Sequence, residues 1–89
     1  MSIYRFPPIA LVDPDNLYKQ FDKVREEVDE AENAYQYESA DRVVEESLDA
    51  IQALEGVIKA LMPDEDRVEE IRAHVIEKNA RRGYYKKVD

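Results

Sequence analysis

The chain has no cysteine and no tryptophan, a single histidine and only two glycines. Without cysteine there is no disulfide framework, no thiolate zinc ligand and no cysteine nucleophile. With His74 the only imidazole, a metal site must be built from oxygen, which restricts it to hard cations such as Mg²⁺, Mn²⁺ or Ca²⁺. Gly56 and Gly83 are too few and too far apart for a glycine-rich phosphate loop. There is no surplus of base either: 21 acidic residues face 13 basic ones, a net charge of −8 that disfavours binding to nucleic-acid backbones or anionic membranes. The apolar run Ile9-Ala10-Leu11-Val12 is far too short for a membrane span and lacks the layout of a signal peptide. The expectation is a soluble cytoplasmic protein.

What is present is a helical pattern. Apolar residues make up 44% of the 89 and recur at helical spacing, which outweighs the disorder that 38% charged residues would otherwise suggest. Residues 1–12, interrupted by Pro7-Pro8, are expected to form an extended arm, and residues 13–89 the helical domain. Asp13-Pro14 reads as a helix start, the aspartate capping and the proline at the first helical position. A first helix follows to about Tyr37, with a core seam of Leu17, Phe21, Val24, Val28, Ala31 and Tyr35. Ser39 is expected to cap a second helix ending before Pro63. Its main stripe is Ala40, Val43, Val44, Ile51, Leu54, Ile58 and Leu61, with a weaker row of Ala50, Ala53, Val57 and Ala60 on an adjacent face. Gly56 inside it marks either a close contact or a bend, at about 1 kcal/mol relative to Ala. Asp64 is expected to cap a third helix carrying Val68, Ile71, Val75 and Ile76 and ending near Gly83. The fold class is all-α, a compact bundle of three amphipathic helices. So small a core predicts that a homodimer or homotetramer completes it.

Two acidic clusters fall in consecutive helices, Glu26-Glu27-Val28-Asp29-Glu30 and Glu46-Ser47-Leu48-Asp49. Each holds two carboxylates three residues apart, which places them on one helix face. Two such pairs can converge on a single hard cation, whereas four crowded carboxylates alone would repel. One such pair in a Glu-rich helix is ordinarily a solvated face, but two in order, with fifteen residues between Glu30 and Glu46, are more specific. At ~100° per residue, Glu27 borders the first seam and Glu30 lies further round; Glu46 leads into the small-residue row and Asp49 lies away from the main stripe. Downstream, Lys78 and Arg82 share a face of the third helix, while Arg81 points elsewhere.

The pattern Glu-Glu-x-x-Glu, fifteen residues, Glu-x-x-Asp closely resembles the signature of the MazG-like all-α nucleotide pyrophosphohydrolases, and Lys78-Asn79-Ala80-Arg81-Arg82-Gly83-Tyr84-Tyr85 is similar to a phosphate-binding tail of that family. The resemblance covers most of residues 17–85. It implies Glu27, Glu30, Glu46 and Asp49 as ligands of Mg²⁺, with Mn²⁺ as a substitute. Catalytic roles would fall to Glu26 and Glu27, Glu26 positioning water or a second ion. Lys78, Asn79 and Arg82 would contact the phosphates of a nucleotide substrate. The implied reaction converts a (deoxy)nucleoside triphosphate to the monophosphate and pyrophosphate, as small bacterial and phage members do. Leu48 departs from the family pattern, in which many members have glycine before the aspartate. Two other readings stand beside it: a non-catalytic helical interaction module with an acidic face, and the related phosphoribosyl-ATP pyrophosphohydrolase activity. His74 belongs to none of these sites.

Overall fold

A computed structural model describes residues 6, 7, 9 and 12–86. It is all-helical, with α1 at Tyr18–Tyr37, α2 at Ala40–Leu61 and α3 at Glu65–Arg81. Tyr4 and most of the expected arm lie outside the described residues.

The helix ends follow local chemistry, with one exception. Ser39 Oγ accepts the Arg42 N–H at the start of α2, and Asp64 accepts from the Asp66 and Arg67 amides at the start of α3. Gly83, at φ +74°, ends α3 with a Gly83 N–H to Ala80 bond and a Tyr84 N–H to Asn79 bond, the paired closure that a left-handed residue permits. Helix α1, however, begins at Tyr18 and not at Asp13-Pro14. There the Asp13 carboxylate accepts the Asp15 N–H at 2.9 Å and the Asp13 carbonyl accepts the Asn16 N–H at 3.2 Å. The dipeptide therefore makes a β-turn, with proline at its second position, a geometry the same two residues favour equally.

A two-residue connection, Glu38-Ser39, folds α1 and α2 into an antiparallel hairpin, and these two helices share the extensive packing of the described residues. Opposite residues run in reverse order: Gln20 Nε2 donates to the Ala53 carbonyl at 2.9 Å, and Glu27 meets Glu46. The row at the interface is the small one. Ala50, Ala53 and Val57 of α2 and Ala34 of α1 are the buried apolar residues. The stripe expected to form the core of α2 lies at the edge of the interface, with Val43 and Ile51 half-buried and Ala40, Val44, Leu54, Ile58 and Leu61 exposed. On α1, Leu17, Val24 and Ala31 of the expected seam are half-buried, Phe21, Val28 and Tyr35 are at the surface, and Glu27 and Ala34 take the interior. Small side chains let the two backbones approach closely, and that approach encloses the glutamates.

Gly56 is buried beside Gln20, Ile9 and Val12. A Cβ there would meet Gln20 Nε2, Ile9 Cδ1 and Val12 Cγ2, each at 3.3 Å, while α2 continues unbroken through the position. Close contact, not a bend, accounts for the glycine. Helix α3 has no buried residue, and Ile71, Val75 and Ile76 are 40%, 39% and 42% exposed. Three helices form as the pattern predicts, but the third does not close a bundle over the other two within one chain. The radius of gyration of 15.2 Å, against about 12 Å for a compact domain of this length, agrees with that openness.

Candidate metal centre

The hairpin register brings one acid from each motif into the helix interface. Glu27 and Glu46 are each 5% exposed, an unusual position for glutamate in any fold. Asp49, one turn further along α2, stays exposed at the rim. One carboxylate oxygen from each of the three lies within 4.8 Å of the others. Opposed ligands of a bound Mg²⁺ stand about 4.2 Å apart and those of Ca²⁺ about 5 Å, so the donor set fits a hard cation with little movement. Glu30, expected as a fourth ligand, is exposed and not among the three, though its carboxyl reaches that of Glu46. Glu26 is not brought to the three; it lines a neighbouring groove of about 590 Å³ with Asp29, Glu30, Asn33 and Arg42.

The electrostatics are those of crowded acids held by two guard cations. The Lys23 ammonium binds Glu27 Oε1 at 2.9 Å, and the Arg42 guanidinium binds Glu46 Oε1 at 2.8 Å while also reaching Glu38 and Glu45. Lys23 holds the Glu27 carboxyl below the usual carboxylate range, chiefly through this hydrogen bond, against the opposing effect of burial. The Lys23 ammonium is raised in return by the same bond. Glu46 goes the other way and is pushed up to about 7, because the Glu30 and Glu27 carboxyls touch it and burial adds to their effect, with Arg42 only partly opposing. At neutral pH without a cation, the group therefore shares a proton. A divalent ion would relieve the same crowding.

The guard cations are the part that the sequence reading missed, although a signal was present. Each buried glutamate is preceded four residues earlier by a base, Lys23 before Glu27 and Arg42 before Glu46, the spacing of an intrahelical ion pair. The expected phosphate contacts are not gathered here. Lys78 and Asn79 are half-buried and Arg82 exposed at the far end of α3, and none lines the cleft beside the carboxylates. That cleft, of about 480 Å³, has walls from α1 and α2 and is closed on one side by Ile9 and Val12.

No protein-family model, curated protein or solved structure matches the chain.

Proposed function

We propose that this protein is a Mg²⁺-dependent nucleoside triphosphate pyrophosphohydrolase, with Mn²⁺ able to replace Mg²⁺. The observation that carries the reading is the convergence of Glu27, Glu46 and Asp49, drawn from both acidic motifs, with two of them taken almost completely out of water. Burying carboxylates beside one another is unfavourable, and a cation bound between them is the simplest return on that cost. No helix of the described residues is long and apolar enough to cross a membrane.

In this reading Glu27, Glu46 and Asp49 hold the ion, and Glu30 supports Glu46 and can join the ligand set. When bound, the ion neutralises phosphate oxygens and stabilises charge on the leaving group. The resemblance gives Glu26 the role of taking a proton from an attacking water, although it lines the adjoining groove and not the cleft beside Glu27 and Asp49. The phosphorus attacked and the products, a monophosphate and pyrophosphate, come from the resemblance in the motifs. The bare aliphatic row of α2 and the unpacked α3 support assembly as a homodimer or homotetramer, since so few side chains are buried within one chain.

A second reading has its own support. Lys23 and Arg42 already pair with the buried acids, as they would in a non-catalytic helical module whose acids only fix the register of the hairpin. Release of pyrophosphate and monophosphate from a panel of nucleoside and deoxynucleoside triphosphates, with Mg²⁺ and with a chelator, separates the two. Metal-dependent release that is lost in Glu27→Gln supports the enzyme. Silence across the panel, with no Mg²⁺ uptake by calorimetry, supports the module, and phosphoribosyl-ATP in the same panel tests the related activity.

A further inference from the structure

The cleft beside the carboxylates has a chemical asymmetry. On its α1 wall Lys19 and Lys23 stand one turn apart, and on its α2 wall Asp49 and Gln52 do the same, with Glu27 at the floor between them. Lys23 is engaged with Glu27, whereas Lys19 makes no ion pair with any of the described residues. A net-acidic protein that lines one cleft with two lysines, next to its most crowded carboxylates, offers both kinds of group a metal-bound polyphosphate requires: oxygen donors for the ion and cations for the phosphate oxygens that the ion leaves uncovered. The volume of about 480 Å³ lies within the usual range for small-molecule sites.

We infer that the phosphate chain of the substrate lies in this cleft, with Lys19 and Lys23 as its cationic contacts, in place of the Lys78, Asn79 and Arg82 set at the end of α3. The inference deepens the pyrophosphohydrolase reading and rests on it. Lys23 has two partners in this scheme. It pairs with Glu27 here, and with Glu27 engaged as a ligand of a divalent ion its ammonium would be available to phosphate oxygens in the same cleft. Lys19 needs no such exchange and is the cleaner probe. Gln20 is committed through its amide to the Ala53 carbonyl, which leaves Asn16 and Gln52 as the amides available to the sugar or base.

The test is calorimetric binding of inorganic tripolyphosphate and of non-hydrolysable α,β-methylene deoxynucleoside triphosphates in Mg²⁺, comparing the native protein with Lys19→Ala, Lys19→Arg and Lys78→Ala. Lys19 is exposed, so its variants are expected to fold, and unchanged helical circular dichroism checks this. The expected result is affinity for both ligands reduced about ten- to a hundredfold in Lys19→Ala, the usual effect of losing one charge-assisted hydrogen bond, and largely kept in Lys19→Arg. Native affinity in Lys19→Ala together with a loss in Lys78→Ala overturns the inference. If the native protein also hydrolyses triphosphates with Mg²⁺, that second result leaves the enzymatic reading intact. Tripolyphosphate binding that depends on Lys19, with no hydrolysis of any triphosphate, sustains the cleft and removes the enzyme. Absence of both binding and hydrolysis removes both.

Discussion

The two sides of the α1–α2 hairpin differ in a way that inverts the usual distribution of residues. At ~100° per residue, the antiparallel register puts Lys23, Glu30, Asp49 and Gly56 towards one side and Phe21, Val28, Leu54 and Ile58 towards the other. Between them the interface encloses two glutamates, three alanines and a valine. Of the larger apolar residues, Phe21, Val28, Val44, Leu54, Ile58 and Leu61 are 38 to 62% exposed, while Leu17, Val24, Val43 and Ile51 are only half-buried, so much of the hydrophobic free energy available to the hairpin is not realised within it. A hairpin selected only for its own stability would put leucine inside and glutamate outside. The contrast teaches that the interior of this hairpin is organised around its acids, and that the free energy of its apolar side becomes available only on contact with another surface.

The largest effect that can break this comparison is on the acidic side. Glu27→Gln and Asp49→Asn are expected to reduce hydrolysis by about a hundredfold or more, the loss of several kcal/mol of charge stabilisation, with the helical circular dichroism unchanged. Unfolding of either variant would make the acids structural and sink the site assignment. On the apolar side, Leu54→Glu and Ala53→Leu distinguish the two rows of α2. Ala53 is 5% exposed, so enlarging it should overpack the interface and cost about 1–3 kcal/mol, read as a fall in Tm. Leu54 is 42% exposed, and a glutamate there should leave the chain folded but lower its mass by analytical ultracentrifugation to that of a monomer. If native and Leu54→Glu proteins have the same mass, the exposed row is not an assembly surface.

The difference between the rows also marks where sequence stops being informative. Local features were legible: the caps Ser39 and Asp64, the Gly83 terminator and the break at Pro63 depend on backbone groups a few residues away. Asp13-Pro14 was ambiguous because one dipeptide serves both a turn and a helix start. Which row of α2 faces α1 was not legible, since large and small apolar rows have the same period and the choice depends on how closely two backbones approach. Glu27, Glu46 and Asp49 were readable from their spacing, and Glu30 follows through its contact with Glu46. Their closeness needs the register of the hairpin, and so does the placement of Lys19 and Lys23 in one cleft with them. The end of α3, where the phosphate contacts were expected, lies apart from the cleft because, among the described residues, extensive packing joins only α1 and α2.

A smaller effect, on stability, reports the acidic side without any cation. Unfolded, Glu46 titrates near the ordinary 4.5; folded, it is held at about 7. Between those values the folded state keeps a proton that the unfolded chain has released, so stability falls as pH rises through this window and levels off above it. Glu27, lowered by Lys23, acts in the opposite sense: its contribution is present above its ordinary value and is lost as pH falls towards its folded one. Metal-free protein is therefore expected to have its highest Tm near pH 5 and a declining Tm towards pH 8. Glu46→Gln should flatten that decline, because a neutral amide retains hydrogen bonding to its neighbours with no proton to lose. A decline of native steepness in this variant would assign it to another group.

The smallest effect concerns the arm. Replacing Gly56 with alanine gains about 1 kcal/mol of helix propensity. The new methyl, however, meets three side-chain ends at 3.3 Å, two of them from Ile9 and Val12. Both contacts are the ends of side chains, which can yield by a few tenths of an ångström at little cost. Gly56→Ala is expected to raise Tm by a few degrees while loosening the arm, seen as faster amide exchange near Val12 and, if the cleft binds polyphosphate, as weaker binding without loss of fold. A lower Tm would show that the arm is bound firmly enough for its displacement to outweigh the helix gain, making it part of the stable structure and not a cover over it.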